Sequence, residues 1–144
     1  YQPPIIDDLV NSINRKIGRK AVFYKEYAED EEIIGLLQKA EFLTYISTRE
    51  AFGFPPLEAF ALGTPSVVSN SPVARELMGD MAFFVADPKS PGSIAKTMGE
   101  CLNDVQKREV IKRESPQIKI KYSWINFTDK FLETARIIIN EKIF

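Results

Sequence analysis

Four short, nearly uninterrupted apolar or β-prone runs, Ala21 to Lys25, "FLTYI" (42–46), "PSVVS" (65–69) and "AFFVA" (82–86), alternate with segments patterned for helix. Strands that are apolar at successive positions must be covered on both faces, and strands separated by helices are those of a parallel sheet, so the chain reads as α/β. That alternation also fixes where a ligand is expected, beyond the carboxyl ends of the strands.

The helical segments follow from spacing and end signals. Ile5, Ile6, Leu9, Val10, Ile13 and Ile17 recur at helical intervals until Gly18, which predicts a helix over 5–17. In "EDEEIIGLLQKA" the acids come first and Lys39 near the end, as the helix dipole favours, and Ile33, Ile34, Leu36 and Leu37 form a predicted buried stripe. Pro55 and Pro56 suit the first turn of a helix that Gly63 closes. Pro72 to Met78 reads as a short helix. After Asp87-Pro88, Ile94, Met98, Cys101 and Leu102 share a face, and a second segment runs to about Glu114, where Ser115-Pro116 is expected to interrupt it. A final helix, capped by Ser123, carries Phe127, Phe131, Leu132, Ala135, Ile138 and Ile139 on one face. The 144 residues make one domain, 1–144, with no repeat or linker.

Charge and composition remove several function classes. Nineteen basic against twenty acidic residues leave nothing to neutralise a run of phosphates, so no nucleic-acid partner is expected. With no histidine and one cysteine, neither a zinc site nor a Ser–His or Cys–His nucleophile can be built, and no metal is expected. Acid–base chemistry is left to carboxylates, Lys or Tyr. No apolar run approaches the ~20 residues that span a bilayer, which points to a cytoplasmic location. The sequon Asn126-Phe127-Thr128 falls in a predicted helix and is read as coincidence.

The stretch "STREAFGFPPLEAF" (47–60) carries the chemistry. It forms the loop and helix start after a strand, where unpaired amides and the positive end of the helix dipole attract anions. Gly53 lets backbone approach a ligand, and a diphosphate is the natural guest. An ionised carboxylate is purely an acceptor and suits hydroxyls, so Glu50 and Glu58 flanking such a site fit a sugar nucleotide, whose diols lie on both sides of its diphosphate. On spacing alone, Glu58 reads first as a favourable first-turn acid and Glu50 as a solvated loop residue. Phe52 and Phe54 are equally packing residues, and Arg49, Arg75 and Glu76 solvated charges.

The wider stretch "SxxEAFGFPPLEAFALGTPSVVSN" resembles the E-x7-E region of retaining, sugar-nucleotide-dependent glycosyltransferases of the family 4 type. The resemblance continues upstream in "FYKEYAEDEEIIGLLQKAEFLTYIS" and downstream in "ARELMGDMAFFVADPKSPGSIAKTM" and "YSW", nearly the whole chain. It implies the donor-binding, C-terminal Rossmann-like half of a two-domain GT-B enzyme, a parallel sheet with helices on both faces. It assigns Glu50 the catalytic role, on hydroxyls of the transferred hexose near the reacting carbon, and Glu58 the nucleotide ribose. Ala51, Phe52, Gly53 and Phe54 would approach the sugar and diphosphate, and Leu57 the nucleoside. Many members of that family have glycine where this chain has Ala51, which leaves the local loop conformation to be checked. Glu76 matches a further acid of the family.

The resemblance further implies a UDP- or GDP-sugar as donor, no cofactor, and an acceptor glycan, lipid or small molecule held by an N-terminal domain not in this chain, with possible peripheral membrane association of the longer protein. The family's phosphate-binding Arg and Lys would precede Tyr1. Four strands, against about six in order 3-2-1-4-5-6 for a full domain, lead to the expectation of a domain lacking its first strands. Then either residues 21–25 pair with 42–46 or a second copy covers the exposed edge. An isolated piece of this kind is expected to be inactive. Two other readings stand: a non-catalytic nucleotide-sugar-binding module, and a glycoside hydrolase whose two carboxyls lie ~5 to 9.5 Å apart across one bond.

Overall fold

In the computed structural model, which describes residues 4–141, the chain forms two compact units that divide between Ile33 and Ile34. The first unit holds helix α1 (Pro4–Ile17), ended by Gly18 at φ 74°. Helix α2 (Asp30–Lys39) starts in it and continues into the second.

No strand forms at 21–25. The backbone there is bonded elsewhere: Asn14 Oδ1 accepts from the amides of Ala21 and Val22, both at 2.8 Å, while its Nδ2 donates to the Val22 carbonyl at 2.8 Å. A β-prone composition is overridden by one amide side chain that takes the groups a sheet ladder would need. Beyond it, Lys25 pairs with Glu32, and Tyr27 donates to Glu29 at 3.1 Å.

The second unit is built on three parallel strands, β1 (Leu43–Tyr45), β2 (Ser66–Ser69) and β3 (Phe83–Val85), in spatial order β1-β2-β3. Register places Tyr45 beside Val68 and Val68 beside Phe84. Among the described residues β1 pairs on one side only, with β2. The connections are α3 (Phe54–Ala61) and α4 (Pro72–Met78); α5 (Pro91–Asn103), α6 (Val105–Lys121) and α7 (Trp124–Glu141) follow β3. Helix α3 packs on β1, β2 and α6, and α5 packs on β3 and β2. Leu57 and Phe60 of α3, Val67 and Val68 of β2, Phe83 and Val85 of β3, Met78, Cys101 and Ile111 make one buried cluster.

Local signals account for the boundaries. Ser71, Ser90, Asp104 and Ser123 each accept a hydrogen bond from an amide three residues on, capping α4, α5, α6 and α7. Gly63, at φ 81°, closes α3 with paired bonds: its own amide to the Phe60 carbonyl (2.8 Å) and that of Thr64 to the Ala59 carbonyl (2.8 Å).

Two further expectations are corrected. Helix α6 passes through Ser115-Pro116 to Lys121, because fully buried Ile111 and core-packed Ile118 tie both sides of the proline down. The stripe Ile33, Ile34, Leu36 and Leu37 is not buried: only Leu37 is half-buried, and its carbonyl accepts from Thr64 Oγ1 at 2.7 Å. Likewise Phe127, Phe131, Leu132, Ile138 and Ile139 of α7 are exposed. Three strands of three or four residues offer too little surface to cover every amphipathic helix.

Candidate functional site

The loop between β1 and α3 turns on Gly53, which caps the helix at φ 89° and ψ 57°, a left-handed conformation that glycine adopts without the Cβ clash. Space is not the constraint, since an added Cβ would meet only the Glu50 Cγ at an ordinary 3.5 Å. Among the described residues no residue other than glycine has positive φ, so Ala51 stands where alanine is unstrained, and the departure from the common glycine is harmless.

Glu50 is half-buried and held by its own surroundings. The Tyr45 hydroxyl donates to its Oε2, while Oε1 accepts from the amides of Ala51 at 3.0 Å and Phe52 at 3.4 Å. The Tyr45 bond first, then the amides of Phe52, Ala51 and Gly53, hold its carboxyl below the usual carboxylate range, against the opposing effect of desolvation. Tyr45 responds in the opposite sense: donating to a carboxylate, with some burial, keeps its hydroxyl protonated to higher pH.

The same geometry narrows the anion site expected at the helix start. Of the first three helical residues Phe54, Pro55 and Pro56, two are prolines without an N–H, and the preceding amides already face Glu50.

The two acids lie in different depressions. Glu50 lines one with Tyr45, Ser47, Gly53 and the α4 residues Ala74 and Leu77. Glu58, exposed, lines a broader groove between α3 and the α6–α7 junction, with Phe54, Leu57, Tyr122 and Trp124. Phe52 belongs to both and forms the wall between them; its ring lies 4.7 Å from that of Phe54 and 6.3 Å from that of Tyr122. Leu57 reaches the groove although most of it is buried in the core, and Phe54 is 64% exposed.

The remaining candidates stand apart. Arg75 Nε donates to Asn70 Oδ1 at 2.7 Å and its guanidinium lies 3.7 Å above the Phe84 ring, a packing role. Arg49 and Glu76 are exposed and line neither depression. Sequence reasoning passed over Tyr45, although an aromatic with a polar tip at the carboxyl end of an apolar strand, five residues before Glu50, is a visible signal. Among the described residues no group of three or more His, Cys, Asp and Glu could hold a metal, and no helix is long and apolar enough to cross a membrane.

Comparison with known proteins agrees with this architecture. Over 132 residues the chain is 32% identical to O-antigen chain mannosyltransferase B of Escherichia coli, covering 92% of this chain and 34% of that protein. It is 27% identical over 136 residues to D-inositol 3-phosphate glycosyltransferase of Corynebacterium urealyticum, covering 94% of this chain and 31% of that one. It is 38% identical over 88 residues to O-antigen chain mannosyltransferase RfbU of Salmonella typhimurium, covering 60% of this chain and 25% of the relative. The chain thus spans about a third or less of the length of these relatives. The model of the family described as glycosyl transferases group 1 matches residues 7–118. With that match over most of its length, and with the parallel Rossmann-like sheet of a GT-B domain, this chain belongs to the group 1 glycosyltransferase family.

Proposed function

We propose that this chain is the donor-binding part of a retaining, family 4 type glycosyltransferase that moves a hexose from a nucleotide diphosphate sugar to an acceptor hydroxyl. The observation that carries the reading is the placement of the two acids of the E-x7-E stretch on either side of Phe52, at the carboxyl end of β1. Glu50 is ionised and rigidly held in the smaller depression, suited to a hydroxyl of the hexose, and Glu58 opens onto the aromatic groove, suited to the ribose. The diphosphate then crosses the Gly53–Phe54 turn. With two prolines in the first helical turn, amides there are few, so cationic side chains must supply much of its neutralisation, and Lys119, Lys121 and Lys130 line the groove on the Glu58 side. Catalysis rests on holding the donor and stabilising the departing diphosphate, with no histidine to act as base. The acceptor, whether glycan, lipid or small molecule, is met by the part of the enzyme outside this chain.

Two of the relatives described above are mannosyltransferases by name, which supports a hexose as the transferred group. A hydrolase would aim both carboxyls at one bond, and their separate depressions do not favour it. The test is calorimetric titration of the chain with UDP-glucose and GDP-mannose. One of them is expected to bind, and Glu50→Gln and Glu58→Ala are each expected to weaken it roughly tenfold or more, the usual loss when a hydrogen bond to a charged group is removed. Absence of heat with both nucleotide sugars overturns the donor site.

A further inference from the structure

We propose that Tyr45 is the positioning residue of this site, its hydroxyl fixing the Glu50 carboxylate so that one remaining acceptor position on Oε2 meets a hydroxyl of the donor's sugar. The inference rests on the donor-site reading above and deepens it.

The argument is a count of lone pairs. A carboxylate offers about four acceptor positions, two on each oxygen. On Oε1 both are used, by the amides of Ala51 and Phe52. On Oε2 one is used, by Tyr45. The Gly53 amide adds a weaker pull on the same carboxylate. What Glu50 can still accept is therefore at most a single hydroxyl, on the oxygen that Tyr45 controls, and a grip on two adjacent sugar hydroxyls by both carboxylate oxygens is excluded while this arrangement lasts.

The two kinds of support differ in stiffness. The amides belong to the irregular stretch between β1 and α3, whereas Tyr45 is the last residue of β1, in register with Val68 and packed against the buried core. Its ring is thus a fixed reference to which a loop carboxylate is tied. Among the described residues Tyr45 is also the only other ionisable side chain lining the depression: α3 contributes Pro56, and α4 contributes Val73, Ala74, Leu77 and Met78, none of them charged. A change in the titration of Glu50 on altering Tyr45 then has no competing local source.

The sign of the pH effect follows. The folded-state pKa of Glu50 is depressed, so its ionised form is present at and above the ordinary value of 4.5 and is lost only as pH falls below it. Removing the Tyr45 hydroxyl moves that loss to higher pH.

The experiment compares wild type, Tyr45→Phe and Glu50→Gln. The carboxyl 13C resonance of Glu50, assigned by its disappearance in Glu50→Gln, is titrated, and affinities for UDP-glucose against UDP and for GDP-mannose against GDP are measured across the acid range. In Tyr45→Phe the Glu50 titration is expected to move up. The advantage of sugar nucleotide over bare nucleotide should shrink by about three- to tenfold, as for loss of one hydrogen bond, and its acid limb should shift the same way. Bare-nucleotide affinity and melting midpoint should stay, because Phe keeps the ring in the core.

If Tyr45→Phe leaves the Glu50 titration and the sugar advantage as in wild type, or lowers only the melting midpoint, Tyr45 is merely structural and the inference is overturned. If instead Glu50→Gln leaves the sugar advantage intact while Tyr45→Phe still moves the Glu50 titration, the donor-site reading has failed, and the role of Tyr45 in recognition with it.

Discussion

Gly53 and Glu50 have to be understood together. The left-handed turn at Gly53 lets α3 begin immediately after a loop whose amides point back at a carboxylate. Gly53→Ala adds no clash but forces alanine into φ 89°, at a cost of about 1–2 kcal/mol. A lower urea midpoint with an unchanged slope is the expected outcome; a midpoint equal to wild type would mean the turn is not held as described. Cys101 is a contrasting case at this scale. Fully buried in the core, its thiol is pushed up to about 11, mainly by desolvation, which makes it a packing residue with no thiolate near neutral pH. Helical spacing already put Cys101 on a shared apolar face, whereas the contact of Tyr45 with Glu50 was signalled only by a polar-tipped aromatic at the end of a strand.

At the level of elements, the helices were legible where end signals and periodicity agreed. The starts at Pro72 and Trp124, the caps at Ser71 and Ser123 and the close at Gly63 all fall where capping chemistry puts them. Three of the four apolar runs are strands. The failures each have a local cause: a single Asn14 side chain occupies the amides of Ala21 and Val22, and buried Ile111 carries α6 across a proline that propensity would use as a stop. That proline still removes an N–H and crowds the preceding turn. Pro116→Ala should therefore stabilise the chain, by up to about 3 kcal/mol less the ~1 kcal/mol that proline recovers through the unfolded state. A rise in thermal midpoint checks this, and a fall would show that the helix is built around the proline.

For the molecule as a whole, the sequence pattern located the sheet but overstated how much apolar surface is buried. Amphipathic periodicity says which face a helix would bury, and nothing about whether a partner surface exists; the faces of α2 and α7 show the difference. The groove beside Glu58 is walled on one side by Trp124, 83% exposed and the chain's single tryptophan. In dilute solution its fluorescence should be that of a solvated indole, readily quenched by acrylamide. Blue-shifted, protected emission that reverts on dilution would instead identify a self-association covering this groove, an alternative to the expected β1 edge.

Glu50 turns the loop's own donors inward, so the cradle they form holds a negative guest supplied by the chain itself. Inorganic phosphate, or any small anion in the cell, must evict that tenant and leave it stranded without partners. Under the proposed donor site a nucleotide sugar would leave it seated and meet it with a hydroxyl, and the built-in occupant would then act as a filter on which anions stay.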